Sequence, residues 1–187
     1  GRPKGVVVFD LETQRLAEEV GGWKNVSLMG LALAVAHTEQ DGYVTFTENN
    51  VSDLIELLKE ASLIVGFNQI RFDYEVLRPY TKDDLRALPN LDIFQHVQAA
   101  LGHRLSLNQL AECTLGTAKS GSGLDAARWF REGRMDLVEQ YCRDDVRITR
   151  DLYFYGVGKG FLLYRRKNSR IGKIPVDWPG PPSLSSE

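Results

Sequence analysis

Residues 6–13 read VVVFDLET, a run of four apolar residues that leads into two acids, and the rest of the fold is organised around them. An unbroken run of β-branched and aromatic residues predicts a strand that is covered on both faces, inside a sheet. Because side chains alternate along a strand, Asp10 and Glu12 point to the same side. Two carboxylates that leave an apolar strand together repel each other, and a bound divalent cation relieves that repulsion. A strand end that runs into solvent explains the two acids equally well.

The composition indicates one ordinary domain, since the chain has 187 residues of which 43% are hydrophobic. A formal net charge of −2 argues against broad binding of duplex nucleic acid, but it allows a narrow groove for one strand. Cys113 and Cys142 are too few for a disulfide framework, and we find no secretion signal and no membrane-length apolar run. We therefore expect a cytoplasmic protein with no membrane association. The strand that begins soon after Gly1 suggests a domain of a longer polypeptide.

Hydrophobic patterning predicts an α/β fold with a central mixed sheet. Residues 27–37 and 43–47, on either side of the turn signal at 41–42, should complete an antiparallel three-strand meander with the first strand. A helix over 52–59 and a buried strand over 63–67 follow, as is typical of a mixed sheet flanked by helices. Further helices are predicted over 70–77, from about 94 to 101, over 106–113 and over 135–155. Residues 116–123 are predicted to be a loop, because they lack the Gly-Lys-Ser/Thr order of a phosphate-binding loop.

The C-terminal part of the chain differs in charge from the rest, so we divide the sequence into a domain at 1–155 and a basic extension at 156–187. Six Lys or Arg residues in this extension are accompanied by only two acids. The runs 161–164 and 173–176 are expected to pair as a hairpin, and the proline-rich tail after Trp178 is expected to be disordered. A solvated basic strand and a flap that contacts phosphates both explain the charge.

Further polar residues lie where a cation site at the first strand would need them. Asn68 ends the second buried strand, and Asp73 follows about one helical turn later. On the longest predicted helix Tyr141 and Asp145 are four residues apart and therefore share one face. Asp144 points about 100° away around that helix, so only one of the two adjacent acids can accompany Tyr141.

Three segments in this order resemble the motifs of the DEDD exonucleases of the RNase H-like superfamily, in the subclass that carries a tyrosine. They are FDLET at 9–13, NQIRFD at 68–73 and YCRDD at 141–145. The resemblance covers about residues 5–155 and implies an RNase H-like exonuclease fold, with a central mixed sheet flanked by helices. The base of the histidine subclass is not expected here, because position 141 is Tyr.

The resemblance implies hydrolysis of phosphodiester bonds from the 3′ end of single-stranded DNA or RNA by a two-metal-ion mechanism. The implied catalytic residues are Asp10, Glu12, Asp73, Tyr141 and Asp145. The four acids among them would bind two divalent cations, Mg²⁺ or Mn²⁺, and the tyrosine would orient the attacking water. The candidate substrate-binding residues are Asn68, Leu11 and Thr13.

Other functions remain open at this point. A non-catalytic nucleic-acid-binding or scaffold module could keep the same fold, although such a module usually loses a carboxylate. The chain could also be an accessory exonuclease domain of a longer helicase-type or polymerase-type protein, or an endonuclease of the same superfamily. Trp23, Trp129 and Trp178 could stack on bases, but large aromatic residues pack in cores more often, so we leave all three out of the predicted site.

Overall fold

A five-stranded sheet forms the centre of the computed structural model, which describes residues 4–117 and 122–182. Its strands are β1 (Val6–Thr13), β2 (Leu31–Thr38), β3 (Gly42–Phe46), β4 (Leu63–Gly66) and β5 (Asn90–Asp92). They lie in the order β3-β2-β1-β4-β5, with β1 in the middle. The pairs β1–β2 and β2–β3 are antiparallel, whereas β1–β4 and β4–β5 are parallel. The predicted meander and mixed sheet are therefore confirmed.

Helices flank this sheet. They are α1 (Val51–Glu60), α2 (Tyr74–Leu77), α3 (Ile93–Leu101), α4 (Leu107–Leu115), α5 (Gly123–Arg131) and α6 (Met135–Lys159). The helix predicted over 70–77 is in fact a π-helical turn, Gln69–Asp73, that continues into α2. Helix α5 was not predicted from the sequence. Among the helices of the described residues, none is long and apolar enough to cross a membrane.

Both faces of β1 are covered, which explains its unbroken apolar run. Val7 and Phe9 belong to a core that α1 and α2 complete, and each is fully buried. Val8 points the other way, into a core that α4 and α6 complete. Because side chains alternate along the strand, Asp10 and Glu12 continue the face of Val8. The two acids are thus directed towards α6.

A two-stranded hairpin follows α6 and consists of β6 (Phe161–Arg165) and β7 (Ile171–Pro175). Leu162 and Ile174 from the two strands are fully buried in the same core as the buried face of α6. The proposed domain boundary at residue 155 remains a prediction, and α6 runs through this position to Lys159.

Two sequence-based expectations concern residues outside the described ranges. Residues 118–121 of the predicted loop and residues 183–187 of the predicted disordered tail belong to this group. The part of the tail that is described, residues 179–182, has no helix or strand.

Candidate active site

The acids of β1 lie where this strand separates from β2. Glu12 is opposite Leu33, but Thr13 is opposite Leu31, so the register shifts between the two β1 residues. A bulge of this kind re-aims side chains at the end of a strand. Glu12 is buried, with 8% of its surface exposed, and Asp10 is partly buried. The hydroxyl group of Thr13 donates a hydrogen bond to the carbonyl oxygen of Arg15 at 2.9 Å.

Helix α6 presents one buried polar face to β1. Tyr141 and Asp145 are 6% and 7% exposed, and Cys142 between them is fully buried. The thiol of Cys142 donates to the backbone carbonyl oxygen of Asp10 at 3.4 Å, and its sulfur lies 3.9 Å from Asp10 Oδ2. Asp144 points away from this face, where it accepts a hydrogen bond from Gln140 Nε2 at 3.1 Å. Helical geometry thus directs Asp145, and not its neighbour, towards the strand.

The third acid, Asp73, is held at the end of the π-helical turn. Asn68 begins this turn with a left-handed backbone (φ 66°), a conformation that Asn tolerates better than most residues. The carboxylate of Asp92 accepts hydrogen bonds from the backbone N–H groups of Asn68 at 2.8 Å and Ile70 at 3.2 Å. It also caps α3 by accepting from the N–H of Gln95 at 3.2 Å. Asp92 therefore fixes the turn that buries Asp73, whose exposure is 2%.

Electrostatic effects link the acids of these three elements. Burial raises the pKa of Asp73 well above its ordinary value, and the negative charges of Asp92 and Asp145 raise it further. Burial also raises the pKa of the Cys142 thiol, with added contributions from Asp10, Glu12 and Asp145. Each of these groups is close enough to oppose ionisation of a buried neighbour. The site is therefore a place where negative charge accumulates in a poorly hydrated space.

The donor set at this place fits a divalent cation. Ligand atoms of Asp10, Glu12 and Cys142 all lie within 4.8 Å of one another. Asp73 and Asp145 are not members of this tight group, but Oδ2 of Asp73 is buried and has no hydrogen-bond partner among the described residues. Carboxylate oxygens are the ligands that Mg²⁺ and Mn²⁺ prefer. A cation near the acids would supply the opposite charge that the Asp73 carboxylate needs.

A cavity of about 560 Å³ opens beside Glu12. Its wall is mostly apolar and includes Thr13, Leu16, Trp23, Met29, Phe72 and Leu124. Trp23 is 71% exposed, and its ring meets the ring of Phe72 edge-on with centroids 6.1 Å apart. The expectation that large aromatic residues pack in the core is therefore wrong for Trp23. Gly21 and Gly22 directly before it have φ values of 89° and 110°. The Gly-Gly pair is the sequence signal that could have indicated an exposed turn at Trp23.

The remaining predicted site residues occupy different positions. Leu11 is 3% exposed and lies in the core on the opposite face of the sheet, so its side chain is not at the cavity. The expectation that Leu11 binds substrate remains a prediction, and with the side chain in the core it can concern only the backbone atoms of this residue. The side-chain Oδ1 of Asn68 is buried and has no hydrogen-bond partner within the described ranges. Cys142 was missed by the motif-based reasoning, although it immediately follows Tyr141 in the third motif.

A second cavity, of about 620 Å³, lies on another part of the molecule between β5, α3 and the C-terminal segment. Its lining includes Asp92, His96 and Trp178. Both carboxylate oxygens of Asp92 already accept backbone hydrogen bonds, so this acid has a structural role. Of the two cavities, only the one beside Glu12 is lined by an acid of the group described above.

Comparisons with known proteins agree with this fold. A family model of the RNase H superfamily matches residues 7–155. The family B DNA polymerase from the hyperthermophilic archaeon Pyrobaculum calidifontis superimposes with a TM-score of 0.62 at 16% identity, over 82% of this chain and 24% of the polymerase chain. RNase D of Trypanosoma brucei gives a TM-score of 0.59 at 18% identity, over 82% of this chain and 57% of that chain. No curated protein sequence gives a significant match.

Proposed function

The chain belongs to the RNase H superfamily, and on this premise we propose that it is a metal-dependent 3′–5′ exonuclease of the tyrosine-bearing DEDD subclass that acts on single-stranded DNA or RNA. The observation that carries the proposal is the buried Asp73 oxygen without a hydrogen-bond partner among the described residues, held near the charges of Asp92 and Asp145 and one residue after Phe72 of the cavity wall. Both structural neighbours are named as proteins that act on nucleic acids, which supports a nucleic-acid substrate.

Four acids would hold the cations. Asp10, Glu12 and Asp145 would bind one divalent ion, Mg²⁺ or Mn²⁺, and Asp10 and Asp73 would bind a second. Two such ions, when bound, activate a water molecule and stabilise the leaving oxygen of a phosphodiester. The raised pKa of Asp73 fits a carboxyl group that gives up its proton when a cation arrives. The thiol of Cys142, whose pKa is raised, remains protonated and fills space behind Asp10.

The protein would position the reactants through Tyr141 and the cavity wall. Tyr141 lies on the same face of α6 as Asp145, and its ring contacts that of Trp129 with centroids 6.1 Å apart. Its hydroxyl group would orient the attacking water by a hydrogen bond. The rings of Trp23 and Phe72 offer apolar surface on which an unpaired terminal base can stack. The products would be nucleoside 5′-monophosphates.

The direct test is the digestion of 5′-labelled single-stranded DNA and RNA by the purified protein with Mg²⁺ or Mn²⁺. We expect stepwise shortening from the 3′ end, and a substrate whose 3′ end is chemically blocked should persist. Asp145→Asn should abolish shortening, whereas the matched variant Asp144→Asn, which changes the adjacent acid on the other side of the helix, should retain it. An absence of shortening with either metal on both substrates would refute the proposal.

The same assay separates the remaining functions. An endonuclease would cut a circular single strand, which an exonuclease leaves intact. A non-catalytic module would bind the linear strand and leave its length unchanged. The chain spans 24% of the matched polymerase chain and 57% of the matched RNase D chain, so a role as the accessory exonuclease of a longer polymerase-type or helicase-type protein is also a proposal. Activity of the isolated chain is expected in either case.

A further inference from the structure

Positive charge is concentrated at the C-terminal end of the fold. Residues 152–176 contain six Lys or Arg residues and no Asp or Glu, while the whole chain has a formal net charge of −2. The remainder of the chain is therefore acidic. Five of the six basic residues belong to the β6–β7 hairpin or its turn, and all five are exposed: Arg165, Arg166, Lys167, Arg170 and Lys173.

The hairpin is a rigid platform for these charges. The hydroxyl group of Thr114 on α4 donates to the carbonyl oxygen of Leu163 at 2.9 Å and accepts from its N–H at 3.0 Å. The inward-facing Leu162 and Ile174 are fully buried, and the N–H of Val176 donates to the carbonyl oxygen of Gly160 at 3.0 Å. The strand pairs and these anchors fix one face of the hairpin to the core. Within the turn, the N–H of Ser169 donates to the carbonyl oxygen of Arg166 at 2.9 Å, and the N–H of Arg166 donates to that of Arg170 at 2.8 Å.

The outward side combines cations with aromatic and aliphatic surface. On the outward face Lys173 Nζ lies 4.3 Å from the centre of the Phe161 ring. Tyr164 lies on the inward face with Leu162 and packs against the core, and the guanidinium group of Arg166 lies 5.9 Å from the centre of its ring. Ile171 is 50% exposed beside them. Basic side chains interleaved with rings are typical of surfaces that follow a nucleic-acid strand, because the cations contact phosphates and the rings accept bases.

The distance from the candidate active site sets which part of a strand the hairpin can reach. Asp145 and Lys159 are on the same helix, and fourteen residues at 1.5 Å per residue place them about 21 Å apart along its axis. Phosphates of one strand follow each other at about 3.4 Å in a stacked helix, so about six nucleotides bridge this gap. Thr114, which anchors β6, is also only nine residues from Gly123 in the cavity wall, a reach of at most about 32 Å.

We propose that the β6–β7 hairpin is a second nucleic-acid contact surface, which binds the phosphate backbone about six nucleotides upstream of the 3′ end held at the acids. The inference rests on the proposed exonuclease function for the polarity of the strand. The acidic remainder of the chain repels a polyanion, so the hairpin provides the attraction that retains a long substrate between successive cleavages. Substrates too short to reach the hairpin gain no binding affinity from its charges.

The test is binding measured by fluorescence anisotropy in the Asp145→Asn background, so that the strand stays intact. One variant carries Arg166→Gln, Lys167→Gln and Arg170→Gln, and a matched control carries Arg78→Gln, Lys82→Gln and Arg104→Gln, which are exposed elsewhere. We expect the hairpin variant to lose at least about tenfold in affinity for strands of about 20 nucleotides near 0.1 M salt. The slope of the logarithm of the binding constant against the logarithm of the salt concentration should be less steep by about two. Strands of about four nucleotides should bind both triple variants equally, because they are too short to bridge the gap.

Several outcomes decide the matter. Equal affinity and equal salt slope in the two triple variants would overturn the proposal and leave a solvated basic strand. Hairpin-dependent binding to phosphatidylserine vesicles without hairpin-dependent binding to DNA or RNA would also overturn it. If the triple variant melts below its parent, the single change Lys167→Gln at the exposed turn replaces it, with a slope change of about 0.7 expected. Because the readout is binding, an inactive but hairpin-dependent protein would support this surface while refuting the exonuclease.

Discussion

Replacing Asp73 by Asn is predicted to stabilise the metal-free protein and to reduce its response to Mn²⁺. Asp73 is 2% exposed, and one of its oxygens has no hydrogen-bond partner in the described part of the chain. Burial raises its pKa, and Asp92 and Asp145 add to that effect, so ionisation of the group opposes folding. Asn keeps the shape of the side chain without the charge, and its amide can donate a hydrogen bond to a neighbouring carboxylate.

The magnitude follows from the cost of burying an ionised carboxylate without a partner, for which about 1–3 kcal/mol, the cost of an unpaired buried polar group, is a conservative value. For a protein of this size each kcal/mol changes the melting temperature by about 2–4 °C, so the variant should melt about 2–12 °C higher in EDTA at neutral pH. The gain should depend on pH, because the folded wild-type protein retains the Asp73 proton to higher pH than the unfolded chain does. The stability that Asp73 contributes is complete below its unfolded-state pKa and is lost as the pH rises through its folded-state pKa. The difference between variant and wild type should therefore vanish in acid and grow towards alkaline pH.

Thermal melting followed by circular dichroism, in EDTA and then with Mn²⁺, measures both effects. Wild-type protein at a hundredfold excess of Mn²⁺ over its dissociation constant should gain about 2.7 kcal/mol, and the Asp73→Asn variant should gain clearly less. Asp53→Asn on the exposed side of α1 is the matched control, with a change within about 0.5 kcal/mol and the full Mn²⁺ response. Equal melting temperatures in EDTA at alkaline pH, or an undiminished Mn²⁺ shift in the variant, would refute the placement of Asp73 at a cation site.

Three further predictions concern other parts of the molecule. Tyr141→Phe should keep the contact with Trp129 and the Mn²⁺ stabilisation, while kcat for strand shortening falls by about 10²-fold or more; an unchanged kcat would remove Tyr141 from catalysis. Trp23→Ala should weaken binding of a single strand by about 1–3 kcal/mol in anisotropy titrations without changing the melting temperature, since the ring is exposed; Leu28→Ala at another exposed position is its control. Burial and the charge of Arg150 lower the pKa of His37, so its contribution to stability is present above its ordinary pKa and is lost as the pH falls through the folded-state value. His37→Gln should therefore lose less melting temperature than wild type on acidification, and parallel curves would contradict this.

The middle of the fold was predictable because local pattern and tertiary environment agree there. The apolar run of β1 is covered on both faces, and the turn signal at 41–42 joins β2 to β3 as expected. Helical periodicity also distinguished Asp145 from Asp144, because a buried face allows only one of two adjacent residues. In these cases the residue period of the strand or helix is enough to determine the direction of a side chain.

The features that sequence reasoning missed depend on contacts between distant segments. The π-helical turn before Asp73 is stabilised by Asp92, whose hydrogen bonds connect β5 to residues more than twenty positions earlier. Trp23 is exposed and directly follows two glycines with positive φ, whereas composition alone favours burial of a tryptophan. Helix α5 begins with Gly123 and is only nine residues long, so it was not predicted from the sequence although five of its residues are apolar; in the fold its Trp129 packs against the Tyr141 ring.

The distribution of charge gives the proposed site and the proposed hairpin surface one common physical basis. An acidic site repels the phosphates that it must bind, and this repulsion cannot be relieved by basic side chains next to the acids, because ion pairs there would occupy the oxygens that a cation needs. Cations that come from solution can neutralise the acids and still be shared with the substrate. We therefore expect fixed positive charge to be most useful at a distance from the carboxylates, and the hairpin begins just beyond Lys159, which lies about 21 Å from Asp145 along the axis of α6. If both proposals hold, removing the metal should abolish cleavage but leave hairpin-dependent binding of long strands largely intact.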